Sequence, residues 1–381
     1  KELLEEGQAL GLQVVVKRRG ETLVDVCGGF KSPYSLEPVE GDTLFNCFSV
    51  SKGVAAAAVW RLIAQGRLSL DDPVTKYWPE FATMGGQKKK LVTVSHVLSH
   101  QSQLQMAGVD EMARDPYFVC DSGSMLRVLE ESPLEGTPGK GDAKYHFLTF
   151  GWLVDGIVRG VTGGQSLAEY IAADIAAPLG IQEELMIGLG GAGGTEARKG
   201  RLATLVLSKS VQLLTKVADG QPKKDVEVEA PTTVPSASHS DSEEDVESDV
   251  EGGEGPRDDT KMRRPPAGPS LLLNPTFFNN PRIREASIPA ANGHFTARAL
   301  CSLYNRLASE ASEAGPSAGG ARLIEGTGWS EHVMEQGASG GATAKDLSIQ
   351  GGGARFVGGF TVYHKAHAHA SPPPPPPPRC C

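Results

Sequence analysis

The sequence predicts an α+β fold with strands and helices segregated along the chain. Three observations carry that reading. Apolar residues of strand character cluster near the two ends, and apolar residues at helical spacing dominate the middle. Nowhere do the two patterns alternate as they do in βαβ units.

Taken in order, Lys1 to Leu10 reads as a helix. An antiparallel hairpin follows, with strands Val14-Val15-Val16 and Thr22 to Val26 joined through Arg18-Arg19-Gly20-Glu21 and closed by Gly28-Gly29. A helix begins near Ser49 and runs to about Gln65, where Gly66 is a natural stop. Leu68 to Pro73 forms a turn, and Thr93 caps a helix over Val94 to His100. Phe147, Phe150, Leu153, Val154, Ile157 and Val158 mark one face of a helix over 147–161. Ser166-Leu167-Ala168-Glu169 has the form of a capping box before a helix that must end near Pro178. A last helix is expected over Thr296 to Tyr304.

The net charge of −9 is concentrated in one place: ten acidic residues and a single Arg lie between Asp241 and Asp259, and the remainder of the chain balances. Charge therefore gives no ground for nucleic acid or an acidic membrane as partner. No apolar run approaches the roughly eighteen residues of a membrane span. Residues 219–269 are rich in Pro, Ser and acids and lack aromatics, so they are expected to form a disordered insertion. Residues 364–381 read as a low-complexity tail ending in seven prolines, Arg379 and two cysteines. The chain thus divides into 1–218, the insertion 219–269, a second folded part 270–363, and the tail. Its six cysteines form no Cys-x-x-Cys, which favours buried free thiols and an intracellular or organellar setting over a secreted one. The first residue is Lys1, as expected of a segment from a longer product.

Chemistry concentrates at Ser49-Val50-Ser51-Lys52, the single Ser-x-x-Lys of the chain. On a helix starting near Ser49, the two side chains lie on one face a turn apart. The apolar run Gly53 to Trp60 surrounds the lysine with a poorly solvating interior, which lowers its proton affinity and lets it accept the serine's proton. The plain alternative is a serine cap beside a solvated lysine.

These residues, following Thr43-Leu44-Phe45, resemble the nucleophile motif of the serine β-lactamase and penicillin-binding-protein superfamily, within it the class C β-lactamase-related esterases. Leu62 to Val74, Tyr77-Trp78-Pro79-Glu80-Phe81, Val97 to Gln101, Pro138-Gly139 before Tyr145-His146-Phe147, and Ala291 to Arg298 are similar to that branch in the same order. The resemblance implies a β-lactamase/transpeptidase-like antiparallel sheet that pairs strands from both chain ends, flanked by helices, with a mainly helical inserted region. It implies Ser49 as acylated nucleophile, Lys52 as its proton acceptor and Tyr145 as proton shuttle, acting on a small ester or amide without metal or organic cofactor. Similar modules occur fused to AarF-type kinases of plants and algae, which implies a kinase-like module as fusion partner or associate.

The chain also departs from the family. Phe147 stands where many relatives have Asn, which tilts the expectation from β-lactams towards simpler esters. Gln103 stands where relatives tend to have Gly. His146 reads as a packing histidine or one that tunes the site. No Lys/His-Ser/Thr-Gly triplet, the family's third motif, occurs; Gly352 to Tyr363 resembles the strand before it. The alternative function is accordingly a catalytically impaired scaffold or regulatory domain. Three other signals are set aside. Gly315-Pro316-Ser317-Ala318-Gly319 lies in an Ala/Gly/Ser/Glu linker unsuited to a nucleophile elbow. His364, His367 and His369 lack carboxylate or cysteine partners for a metal, and the polyproline run is at most a groove ligand.

Overall fold

The computed structural model describes residues 1–84, 86–190, 194–207, 271–310 and 323–324, and the backbone course of 342–344, 354–357 and 360–363. The expected insertion, the linker with Ser317, the three tail histidines and the polyproline run lie outside the described residues.

The fold is α+β. Helix α1 (Glu2–Glu5) leads into the hairpin β1 (Gly11–Arg18) and β2 (Glu21–Gly29). The helix expected over Lys1–Leu10 is shorter than its pattern because Gly7 takes a left-handed backbone, φ 66°. After that turn the chain enters β1 at Gly11, ahead of the strand expected from Val14. The hairpin pairs Val14 with Val26 and Val16 with Val24, through a turn at Arg19 and Gly20 with φ of 51° and 86°.

A second sheet has β5 (Gly293–Phe295) at its centre, between β3 (Phe45–Asn46) and β4 (Leu185–Ile187). Phe295 opposes Phe45 on one side and Leu185 on the other. A third sheet is the meander β6 (Ala342–Ala344), β7 (Ala354–Val357) and β8 (Phe360–Tyr363). Among the described residues the β1–β2 hairpin and the β6–β7–β8 meander each pair sequence neighbours, while β3, from the N-terminal part, pairs with β5 from beyond the acidic segment, as the expected joining of early and late chain requires.

Helices build the interior. Helix α2 (Val50–Ala64) buries Val54 to Trp60 and Leu62, apolar all round, as a helix at the centre of a core must. It packs on α6 (Thr149–Thr162), whose residues 149–158 are buried. Gly66 (φ 68°) and Gly163 (φ 80°) stop these helices as left-handed residues after the last turn. Between them lie α3 (Val94–Leu98), α4 (Val109–Arg114) and α5 (Ser122–Glu131). Thr93 opens α3 with a capping box closed by His96, and Ser166 does the same with Glu169 for α7 (Leu167–Tyr170). Buried Asp155 ties α6 to α7, accepting from Leu167 N–H at 2.6 Å and pairing with Arg159 at 2.8 Å. Ile283, Phe295 and Leu303 from beyond the acidic segment enter the same core as Trp60, Phe81 and Trp152. No helix of the described residues is long and apolar enough to cross a membrane.

Candidate active site

The approach to Ser49 is pinned from both sides. The Cys47 N–H donates to Gly293 O at 2.8 Å, and Phe48 N–H donates to Asn46 Oδ1 at 3.1 Å. Phe48 is held at φ 42°, a left-handed conformation that is unfavourable for a bulky residue, with its ring against Phe278 at 5.2 Å. Ser51 is buried beside it. Its hydroxyl donates to Phe48 O at 2.5 Å and accepts from Gly293 N–H at 2.9 Å, locking the first turn of α2 to β5.

Ser49 is the N-cap of α2 but spends no hydroxyl bond on the cap, and it is exposed. Its Oγ lies 3.2 Å from Lys52 Nζ and accepts the Tyr145 hydroxyl at 2.7 Å. All three sequence-predicted residues therefore meet at one oxygen. Among the described residues the Ser49 N–H makes no hydrogen bond, which leaves it available to an oxyanion.

Lys52 is 5 % exposed, and burial pulls its ammonium down to about 7. The expected loss of proton affinity is therefore present, from the expected cause. Its Nζ donates to Phe147 O at 2.7 Å and to Ala290 O at 3.0 Å, and it sits 4.9 Å from the Tyr145 ring centre. A neutral amine has two N–H donors and one lone pair. The two carbonyls consume both donors, so the lone pair is left for the Ser49 hydroxyl proton. As an ammonium Lys52 donates to all three oxygens; once deprotonated it would keep both carbonyl bonds and turn its lone pair to Ser49.

The supports of this arrangement have weak sequence signals. Phe147 and Ala290 contribute through carbonyls, which every residue has. Ala290 is placed by Asn292, whose buried side chain accepts from Ile288 N–H at 3.0 Å and donates to Ile283 O at 2.9 Å and to Ala286 O. Ser51 had a signal, the second serine of Ser49-Val50-Ser51-Lys52, but nothing in its spacing distinguished a lock from an ordinary helix residue. Phe147 is 41 % exposed, with its ring 5.9 Å from Lys52 Nζ, an apolar wall beside Ser49. His146 turns into the protein and does not touch Ser49; its ring bonds Ser102.

Comparison with known proteins places this geometry in context. Residues 1–186 match the family described as Beta-lactamase. The chain is 33 % identical over 193 residues to esterase EstB of Burkholderia gladioli, covering 47 % of this chain and 48 % of that protein. It is 32 % identical over 163 residues to the esterase/beta-lactamase LipL of Mycobacterium tuberculosis, covering 42 % and 35 %. The match therefore spans about half the length of these curated relatives, or less. A penicillin-binding protein homologue from Caulobacter crescentus superposes with a TM-score of 0.63 at 27 % identity, covering 94 % of this chain and 78 % of that one.

Proposed function

We propose that the chain, whose residues 1–186 match the family described as Beta-lactamase, is a serine hydrolase that cleaves small esters through an acyl-enzyme. The observation that carries this reading is the convergence of Lys52 Nζ and Tyr145 OH on Ser49 Oγ. Lys52 takes the Ser49 proton as Oγ attacks the ester carbonyl carbon. The Ser49 N–H stabilises the oxyanion of the tetrahedral intermediate. The intermediate collapses, the C–O bond to the leaving group breaks, and the Tyr145 hydroxyl delivers the proton that the alkoxide needs. The Tyr145 phenolate that results is paired with the Lys52 ammonium, which holds the proton taken from Ser49. In the second half water loses a proton to the same pair, attacks the acyl carbon and releases the acid, and Ser49 regains its proton.

The exposed Phe147 ring supports an apolar acyl group over a polar amide as the substrate part that lies beside Lys52. A second reading, a site that is acylated but turns over slowly, draws on the missing Lys/His-Ser/Thr-Gly triplet. Losing one oxyanion donor costs about 10²- to 10³-fold in turnover.

A fluorophosphonate probe tests the proposal. One adduct per folded chain is expected by mass spectrometry, and none in Ser49→Ala. Folded protein that stays unlabelled overturns it. The pH dependence follows from Lys52. Only the neutral amine accepts a proton, so kcat/KM for a neutral ester should rise tenfold per pH unit below about 7 and level off above it. A flat profile between pH 5 and 8 contradicts lysine as the base.

A further inference from the structure

Tyr145 lies on a strap that has no helix or strand of its own. From the end of α5 to the start of α6 the chain runs through turns, with Gly139 and Gly141 left-handed at φ 68° and 78°. A phenol that must stay 2.7 Å from Ser49 Oγ needs outside support on such a segment. The loop from His100 to Leu104 supplies it. Its backbone carbonyls bind the strap at three places. His100 O accepts from Lys144 N–H at 3.1 Å, Gln101 O from Gly139 N–H at 3.2 Å, and Gln103 O from Glu135 N–H at 3.0 Å. The ring of His100 stacks near Tyr145, with centroids 5.0 Å apart, and its Nδ1 accepts from His146 N–H at 3.1 Å.

His146 is the centre of the network. Its Nδ1 is 2.7 Å from Lys144 O, and a carbonyl can only accept, so Nδ1 carries the proton. Nε2 is then an acceptor, and it receives the Ser102 hydroxyl at 2.8 Å and the Leu104 N–H at 3.3 Å. Both ring nitrogens are used and a single tautomer satisfies every bond. The loop reaches this geometry by holding two non-glycine residues left-handed, His100 at φ 59° and Gln103 at φ 63°. Such backbone persists only where the surroundings over-determine it. A side chain chosen only to fill the core would need neither the strained loop nor the fixed tautomer.

We propose that His146 is a positioning residue for the hydrolase reaction: clamped by Lys144, Ser102 and Leu104, it fixes the Tyr145 hydroxyl on Ser49, and the His100–Leu104 loop is its splint. The inference rests on the serine-hydrolase reading. Active-site titration separates positioning from folding, because a fluorophosphonate counts competent Ser49 sites and turnover is then expressed per titrated site. For His146→Leu, turnover of a p-nitrophenyl ester per titrated site should fall roughly 10²-fold, with KM within about threefold of wild type. His146→Gln, which can still accept from Ser102 and Leu104, should recover most of the loss. Tyr145→Phe combined with His146→Leu should be no slower than Tyr145→Phe alone, since both act through one hydroxyl. If His146→Leu does not fold, Ser102→Ala reads the same effect with a smaller change. Unaltered turnover per titrated site, or losses that multiply in the double variant, overturns the inference while the hydrolase reading stands. A wild-type chain that is neither titrated nor active overturns both.

Discussion

Replacing Lys52 by Met is expected to lower ester turnover by about 10³- to 10⁴-fold while making the folded protein more stable at pH 6. The two effects share one cause. The amine's proton affinity falls to about 7 because its ammonium is buried, against 10.5 in an open chain. At pH 6 both folded and unfolded chains hold the proton, and the folded state bears the whole cost of that buried charge, on the order of 5 kcal/mol. Between about 7 and 10.5 the unfolded chain keeps a proton that the folded chain has shed, so wild-type stability rises with pH. Met is uncharged and of similar length, and it removes this penalty. It also leaves Phe147 O and Ala290 O without a donor, at about 1–3 kcal/mol each when buried. The net gain at pH 6 should therefore be small, about 1 kcal/mol. It should decline by roughly 3 kcal/mol by pH 9, which makes Met the less stable there. Urea denaturation of both proteins at the two pH values checks this. A stability difference independent of pH contradicts a buried, titrating Lys52.

Gly151→Ala should destabilise the protein by about 1–3 kcal/mol and lower turnover at least tenfold. In an exposed helix the same change would stabilise by about 1 kcal/mol. Here α6 presses on the 289–290 backbone. A Cβ at Gly151 would overlap Ala290 N and come within 2.8 Å of the Pro289 carbonyl carbon. Both obstacles are main chain, with no flexible end to move aside, so the overlap outweighs the propensity gain. Relief means shifting the loop whose Ala290 carbonyl holds Lys52. With that bond lost, one N–H of the neutral amine competes with the lone pair for Ser49. Denaturant midpoints together with kcat test the coupling, and a variant with wild-type kcat shows that the Ala290 contact is dispensable.

Chemistry carried by side chains was legible in the sequence. Ser49 and Lys52 needed only the helical period and the apolar run behind them, and Tyr145 needed the resemblance of its flanking segments. Helix caps at Thr93 and Ser166 and the stop at Gly66 were local too, and the structure has all three. What escaped was set by tertiary contact. The strands β3, β4 and β5 are two or three residues long, too short for a period-two pattern, yet β5 bonds the residues on either side of Ser49. The carbonyls of Phe147 and Ala290 have no residue signature. Gly7 looked like part of a helix, and only its positive φ reveals the break. Gln103 shows the reverse: noted as a departure from the relatives' glycine, it proves to occupy the left-handed backbone for which glycine is suited.

The two carbonyls that hold Lys52 come from opposite sides of the acidic segment and meet only at that nitrogen. On the proposed mechanism, the base is therefore completed only when both parts of the chain have docked. Before that docking Lys52 is a hydrated ammonium with no lone pair to offer, and Ser49 an ordinary alcohol.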